Sequence, residues 1–116
     1  MKLGLQLNSF GRRGGPERFG RTLVDIARTA EEGGFDRLAV ADHVWQHPIV
    51  GGPEADAPEC YTTLAFVVAN TERAMITAMV SGVHFRYPAI LVKAVTTLDV
   101  LSGGRAWLGV GSSEPL

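Results

Sequence analysis

The stretch Val95–Gly111, VTTLDVLSGGRAWLGVG, decides the fold class. Its first part has apolar residues at helical spacing, and Ser102-Gly103-Gly104 ends the helix that this spacing predicts. The apolar run that follows, Arg105–Val110, is typical of a buried strand. A helix that ends on glycines and leads directly into a strand is one unit of an alternating α/β fold.

Further apolar runs predict three more strands, at Leu3–Leu7, Phe35–Ala41 and Ala74–Val83. Within the last of these, Ser81-Gly82 indicates a bulge or a close backbone approach. The strands begin near residues 3, 37, 75 and 105, so one strand-and-helix repeat averages about 34 residues. A (β/α)8 barrel has a repeat of about 31 residues, which is similar. Rossmann-type sheets have repeats of similar length, so the spacing alone does not distinguish a barrel from a Rossmann-type sheet.

Three helices are predicted between these strands. The first begins at Glu17 and the last at Pro88, and each has an apolar stripe: Phe19, Leu23, Ile26, Ala27 and Ala30 in the first, and Leu91, Ala94, Val95, Leu98 and Leu101 in the last. Between them Tyr61–Asn70 predicts a helix, although its β-branched residues leave a strand as the alternative. Strands alternating with helices in this way predict a parallel sheet with right-handed crossovers.

Composition narrows the functional class. The chain has 116 residues, 46% hydrophobic and 20% charged, with a net charge of −1, which predicts one globular unit over residues 1–116. Lysines and arginines are not clustered, so we expect neither a nucleic-acid nor a membrane partner. The sequence has one cysteine, Cys60, and no apolar run long enough for a signal peptide or a membrane span, so a cytoplasmic protein is expected. Its three histidines have no metal-ligand spacing, and no metal site is predicted.

Polar or small residues follow every predicted strand, and the carboxyl ends of parallel strands are where α/β folds build their sites. Asp42 and His43 are the sharpest pair, because His43 can donate or accept a proton and Asp42 can orient a ligand. The alternative is that Asp42 starts a turn and His43 fills the barrel mouth. We expect Trp45 and Trp107 to be packing residues. The other residues at strand ends are Asn8, Ser9, Ser81, Gly82, His84, Gly111, Ser112, Ser113 and Glu114.

Three segments together resemble the bacterial luciferase-like flavin and deazaflavin oxidoreductases. They are GFDRLAVADH, VSGVHFRYP and PAILVKAVTTLDVLSGGRAWLGVG, and they stand in the order and spacing of that family. The Asp42-His43 pair and the Ser81-Gly-Val pattern are most similar to the branch that uses the deazaflavin coenzyme F-420. The resemblance implies a (β/α)8 TIM barrel that transfers a hydride between coenzyme F-420 and an organic substrate. A monooxygenase that uses reduced flavin mononucleotide (FMN) is the alternative.

The resemblance also assigns roles to residues. It implies that His43 and Glu114 are catalytic, His43 as the acid/base group, and that Ala78-Met79 is a bulge with a cis peptide bond against the ring. Contacts with the cofactor are implied for Asp42, His43, Ala78, Met79, Ser81, Gly109, Gly111 and Ser112. Relatives have an aromatic residue four positions after the histidine, where this chain has His47, so the resemblance does not extend to sugar-phosphate specificity.

Length is the main departure from the family, because such barrels need about 250 residues or more. The chain is expected to form a half-barrel of about four parallel strands and three helices, whose first and fourth strands have open edges. Open edges seek partners, so we expect a fragment that associates with the missing carboxyl-terminal half or forms a homo-oligomer. A catalytically silent half-barrel that only self-associates is the non-enzymatic alternative.

Overall fold

The computed structural model describes residues 1–11 and 14–112, and in these residues it has six short strands, three α-helices and one 3-10 helix, Pro48–Val50. The strands are β1 (Gly4–Leu7), β2 (Arg37–Val40), β3 (Met75–Ala78), β4 (Ser81–Gly82), β5 (Ala106–Trp107) and β6 (Val110–Gly111). The helices are α1 (Pro16–Glu32), α2 (Cys60–Ala69) and α3 (Pro88–Ser102). No helix in these ranges combines the length and the apolar character needed to cross a membrane.

All observed strand pairs are parallel. One sheet has the order β1-β2-β3-β5, and a second ladder joins β4 to β6. The predicted alternation of strands and helices is therefore confirmed. Two predicted boundaries are wrong, since Ala74–Val83 is divided into β3 and β4 and Arg105–Val110 into β5 with the start of β6. Each run leaves the main sheet after a few residues and pairs again in the β4–β6 ladder.

The strand register gives the sheet two faces. One face carries the row Leu5, Leu38, Ile76 and Ala106 and the row Leu7, Val40 and Ala78, and it packs against the helices. The predicted stripe of α1 lies on this face, with Leu23, Ala27 and Ala30 buried. In α3 the prediction is wrong for Leu101, which is 77% exposed, whereas Leu91, Val95 and Leu98 are buried.

The opposite face, called the inner face below, is only partly covered. It carries the row Gly4, Arg37 and Met75 and the row Gln6, Ala39, Thr77 and Trp107. Trp107, which was expected to be a packing residue, is 49% exposed and lies outside the hydrophobic core. Its ring contacts the Arg37 guanidinium instead, with Cζ 3.9 Å from the ring centroid. Trp45 is also more than half exposed.

The segment Cys60–Ala69 is a helix and not a strand, which its β-branched residues had left as the alternative. The Glu59 side chain caps its first turn, accepting a hydrogen bond from the Thr62 amide at 2.6 Å. Burial raises the pKa of Glu59, but hydrogen bonds from Thr62 and Arg86 outweigh burial and lower the pKa overall. Tertiary packing then buries the apolar residues Leu64, Val67 and Val68. Capping and packing together override the β propensity.

A buried carboxylate fixes the segment that leads into β3. Glu31, at the end of α1, accepts hydrogen bonds from the backbone amides of Glu72, Arg73 and Ala74, at 2.6 to 3.1 Å. Burial raises the pKa of Glu31, but these amides outweigh it and lower the pKa. From the other side, Arg105 donates to the carbonyl oxygens of Val68 and Ala74. These contacts set where β3 begins and hence where its far end emerges.

Candidate active site

The carboxyl ends of the strands meet at one edge of the molecule. Asp42 follows β2, and its Oδ2 accepts a hydrogen bond from the Gly82 amide at 3.0 Å. Gly82 is in turn the register partner of Gly111 in the β4–β6 ladder. We call the segments Asp42–His43, 79–82 and 109–112 the carboxyl-terminal rim. Asp42 is therefore linked through Gly82 to Gly111, at the glycine-rich end of the fourth predicted strand.

Asp42 is buried, and both oxygens of its carboxylate have partners. Arg86 donates through Nη1 to Oδ2 at 2.6 Å and through Nη2 to Oδ1 at 2.9 Å, in the bidentate geometry typical of arginine and carboxylate. Hydrogen bonding to Asp42 raises the pKa of Arg86. The same guanidinium contacts Glu59 and lies 4.9 Å from the centroid of the Tyr61 ring. Asp42 therefore joins β2, β4 and the start of α2.

Ser81 is fully buried, and its hydroxyl pairs with a side chain of α2. It forms a hydrogen bond of 2.5 Å with the Tyr61 hydroxyl. Burial raises the pKa of Tyr61, so this phenol stays protonated and available for that hydrogen bond. The Ser81 amide donates to the carbonyl of Gly109 at 2.8 Å. In this arrangement the Ser81 side chain anchors β4 to α2.

Cys60 lies beside this network and is 1% exposed. Its Sγ lies 3.7 Å from the carbonyl oxygen of Val40, the last residue of β2. Burial, followed by the negative charges of Asp42 and Glu59, raises the pKa of this thiol to about 12. Cys60 is therefore a protonated packing residue and not a nucleophile.

The turn between β3 and β4 forms an exposed apolar ledge, made of Met79 and Val80, which are 54% and 45% exposed. The cis peptide bond joins Met79 to Val80, one bond later than the Ala78-Met79 position that the family resemblance predicts. Ala78 itself faces the helices and is buried in the core. The Met79 carbonyl accepts a hydrogen bond from Nε2 of Gln6 at 3.3 Å, which ties the ledge to the inner face.

Positions 109 and 111 have no room for a side chain, because Ala78 and Val80 lie against Gly109 and Gly111. A Cβ on Gly109 would lie 2.9 Å from the carbonyl oxygen of Ala78, and one on Gly111 would overlap Cγ2 of Val80. Their part in the structure is thus to let the fourth strand approach the third closely.

His43 and Ser112 are exposed at the rim, and His43 presents an imidazole to solvent there. Glu114, which the family resemblance makes a catalytic residue, lies outside the described residues, as does Ser113. Within the described part of the chain, no three His, Cys, Asp or Glu side chains stand close enough to hold a metal ion.

A separate concavity of 320 Å³ lies between the loop after β1 and the segment before α2. Its lining includes the apolar residues Phe10, Phe19 and Pro58 and the carboxylate residue Asp56. It shares no residue with the rim.

Sequence reasoning missed the residues that hold the rim together. Arg86 and Tyr61 lie 44 and 19 positions beyond Asp42 in the chain. Arg86 stands in the VSGVHFRYP segment that resembles the family, but nothing in that segment pairs it with Asp42. The other available signal was Asp42 itself, because a carboxylate that directly follows a buried strand needs a partner. Which arginine supplies that partner depends on the path of the loop before α3.

The family model described as luciferase-like monooxygenase matches residues 3–116. Among curated proteins, an F420-dependent glucose-6-phosphate dehydrogenase of Nocardia farcinica is 43% identical over 110 residues. That alignment covers 91% of this chain and 31% of the relative, so the chain spans about a third of the relative's length.

Solved structures of similar fold include the oxygenating constituent of 3,6-diketocamphane monooxygenase from Pseudomonas putida in complex with FMN. It has a TM-score of 0.78 and 22% identity, over 99% of this chain and 30% of that one, and it supports the fold alone. An F420-dependent secondary alcohol dehydrogenase in complex with an F420-acetone adduct has a TM-score of 0.76 and 25% identity, over 97% of this chain and 32% of that one. The four parallel strands and three helices are therefore part of a luciferase-like TIM-barrel architecture.

Proposed function

This chain belongs to the luciferase-like monooxygenase family, and on that premise we propose that it carries part of the active site of a coenzyme F-420-dependent oxidoreductase. The reaction would be hydride transfer between the deazaflavin and an organic substrate. The curated relatives that resemble this chain at 38–43% identity are named as F420-dependent dehydrogenases, which favours the deazaflavin over FMN. Their sugar-phosphate substrate is not carried over, because His47 stands where the family's aromatic residue is expected.

The observation that carries the proposal is the combination of groups at the rim. An exposed apolar ledge, Met79 and Val80, lies at the same edge as the Asp42-His43 segment, to which the Asp42–Gly82 hydrogen bond connects it. A flat aromatic ring needs apolar contact on its face and a few polar groups around it, and the rim offers both. The apolar ledge and the polar groups beside it therefore fit the ring of a deazaflavin.

Each rim segment has a distinct part in this proposal. Met79 and Val80 supply apolar contact for the ring, and the backbone of 109–112 borders it. Asp42 and Arg86 keep the ledge in position through the Gly82 amide, so Asp42 acts as a positioning residue. When bound, coenzyme F-420 supplies the hydride acceptor or donor.

His43 is the proposed acid/base group. Its imidazole is exposed at the rim, and an imidazole can both accept and donate a proton. In the direction that oxidises an alcohol, His43 would take the hydroxyl proton while the hydride leaves the adjacent carbon. In the reverse direction it would return that proton to the carbonyl oxygen.

Fluorescence titration of the chain with coenzyme F-420 and, separately, with FMN tests the proposal. We expect saturable binding of coenzyme F-420, and an increase in Kd of about tenfold, or 1.4 kcal/mol, for His43→Ala. The matched control is His47→Ala, which removes another exposed histidine and should leave the Kd unchanged. FMN binding without F-420 binding, with oxygen consumption by the reduced flavin, would establish the monooxygenase alternative instead.

We also propose a cytoplasmic location. Cys60 is the single cysteine of the chain and is buried as a free thiol, as expected of a protein from a reducing compartment.

A further inference from the structure

The ledge of the rim, Met79 and Val80, is bounded by two strands of unequal length. On one side is β3, with four residues in the main sheet, and the Met79 amide donates to the carbonyl of Val40 at 2.9 Å. On the other side is β4, which has two residues, Ser81 and Gly82. A two-residue strand forms few backbone hydrogen bonds, so the side chains that bind it contribute strongly to how firmly it is held.

Tyr61, the second residue of α2, is connected to β4 by two routes. Directly, its hydroxyl forms the 2.5 Å hydrogen bond with the Ser81 hydroxyl. Indirectly, its ring centroid lies 4.9 Å from Cζ of Arg86, whose guanidinium pairs with Asp42. Asp42 in turn accepts the hydrogen bond from the Gly82 amide. Both residues of β4 are therefore connected to the same tyrosine.

The Tyr61–Ser81 pair is enclosed, with exposed fractions of 8% for Tyr61 and 0% for Ser81. Removing one of two paired and buried hydroxyls leaves the other without that partner, which is destabilising. Replacing both with apolar groups of similar shape is nearly neutral. Stability alone therefore does not require the pair, and its distinct contribution is to fix the Ser81 side chain and, with it, β4.

We propose that Tyr61 is a positioning residue, which holds β4 through Ser81 and thereby sets where Met79 and Val80 meet the cofactor ring. Tyr61 acts through Ser81 and not by contact with the ring. The effect on coenzyme F-420 rests on the proposed function, whereas the effect on the ledge is measurable without the coenzyme.

Amide hydrogen exchange in the coenzyme-free protein measures how firmly β4 is held. The amides of Ser81 and Gly82 both donate hydrogen bonds, so they exchange slowly while β4 stays in place. Tyr61→Phe removes the hydroxyl and keeps the aromatic ring. We expect exchange in the peptide that contains β4 to become about fivefold faster in Y61F, a factor that corresponds to the loss of one ordinary hydrogen bond.

Combining Tyr61→Phe with Ser81→Ala separates positioning from stability. Each single substitution leaves one buried hydroxyl unpaired and should lower the urea midpoint, whereas the double variant should recover most of that loss. The double variant still lacks the hydrogen bond, so exchange in β4 should stay about fivefold faster than in the wild type. The Kd for coenzyme F-420 should rise about fivefold in both single variants and in the double variant, because the ledge occupies its binding position for a smaller fraction of the time.

Two controls isolate the Tyr61–Ser81 hydrogen bond. Tyr87→Phe removes the hydroxyl of the second tyrosine, which is 84% exposed, and should change neither the exchange nor the Kd. Val95→Ala truncates a buried residue of α3 and lowers stability without removing this hydrogen bond, so exchange in β4 and the Kd should again match the wild type. Circular dichroism checks that each variant is folded, and Y61F alone is compared with Val95→Ala if the double variant is not.

The proposal would be overturned by unchanged exchange in β4 of the folded double variant, or of folded Y61F in its place, since Tyr61 would then be a packing residue only. Faster exchange with an unchanged Kd would also overturn it, because the hold on β4 would not reach the coenzyme. If the wild type does not bind coenzyme F-420, the proposed function fails, and exchange in β4 still decides whether Tyr61 positions the ledge.

Discussion

The Gly82 amide donates a hydrogen bond of 3.0 Å to the Asp42 carboxylate, although 40 positions separate the two residues in the chain. This bond joins the end of β2 to the short strand β4. Because β4 pairs with β6, it also sets the position of the Val110–Gly111 segment. The geometry of the rim therefore depends on the Asp42 carboxylate and on Arg86, which neutralises its charge.

Replacing Arg86 with Gln should be strongly destabilising. Asp42 would remain buried without its counter-charge, and breaking such a pair costs about 3–5 kcal/mol. Arg86→Lys keeps the charge but loses the bidentate geometry, so its cost should be smaller. Urea denaturation measures both, and a loss below about 0.5 kcal/mol for R86Q would contradict this role for Arg86.

Gly109→Ala should lower the free energy of unfolding by about 1–3 kcal/mol, because the new Cβ would lie 2.9 Å from the backbone oxygen of Ala78, which cannot move alone. Gly4→Ala is the matched control in β1, where the nearest atom to a Cβ is Cβ of Arg37 at 3.6 Å. That substitution should stay within about 0.5 kcal/mol of the wild type in thermal or urea unfolding. Equal effects of the two would rule out the close approach of Gly109 to β3 as the cause.

Glu31→Gln should cost about 2 kcal/mol, because a charged acceptor of three backbone amides becomes neutral. Glu32→Gln, at the next and exposed position, is its control and should have little effect on the urea midpoint.

The pH dependence of stability gives an independent check on Glu31. Folding lowers its pKa below the ordinary 4.5, so its stabilisation is complete above pH 4.5 and is lost as the pH falls from there through the folded pKa. The difference in unfolding free energy between wild type and E31Q should therefore shrink in that acid range. A difference that stayed constant down to the folded pKa would contradict this explanation.

Cys60 should react with thiol reagents only after the protein unfolds. Its pKa of about 12 leaves almost no thiolate at neutral pH, and the side chain is 1% exposed. Because it is the single cysteine, the rate of modification by a disulfide reagent reports its accessibility directly. The rate should follow the fraction of unfolded protein in urea, and stoichiometric labelling of the native protein within minutes would show the burial to be wrong.

The sequence predicted the order of elements well, because strand and helix periodicities are local properties. Leu23, Ala27 and Leu98 pack where their helical spacing indicates. The division of the third and fourth strands was not predicted, since RAWLGV reads as one continuous apolar run. The break depends on the contacts of Gly109 with Ala78, which lie between strands that are distant in sequence.

At the site, the strand-end rule located Asp42 and His43, and the structure brings their segment to the predicted rim. The rule could not reveal that Arg86 and Gly82 bind the Asp42 carboxylate, because these partners are about 40 positions away in the chain and strand-end position does not specify which residues pair. It also gave no sign that Ser81 faces Tyr61, since alternation within a two-residue strand does not fix a direction. Long-range polar partners are thus the part that local pattern leaves undetermined.

Hydrogen exchange measured by mass spectrometry, with and without coenzyme F-420, tests most directly that the rim is the cofactor site. Slower amide exchange is expected in the peptides that contain 79–82 and 109–112, with no change in the carboxyl-terminal half of α1. Protection confined to the concavity lined by Phe10, Phe19 and Pro58, or no protection anywhere at saturating coenzyme, would contradict the assignment.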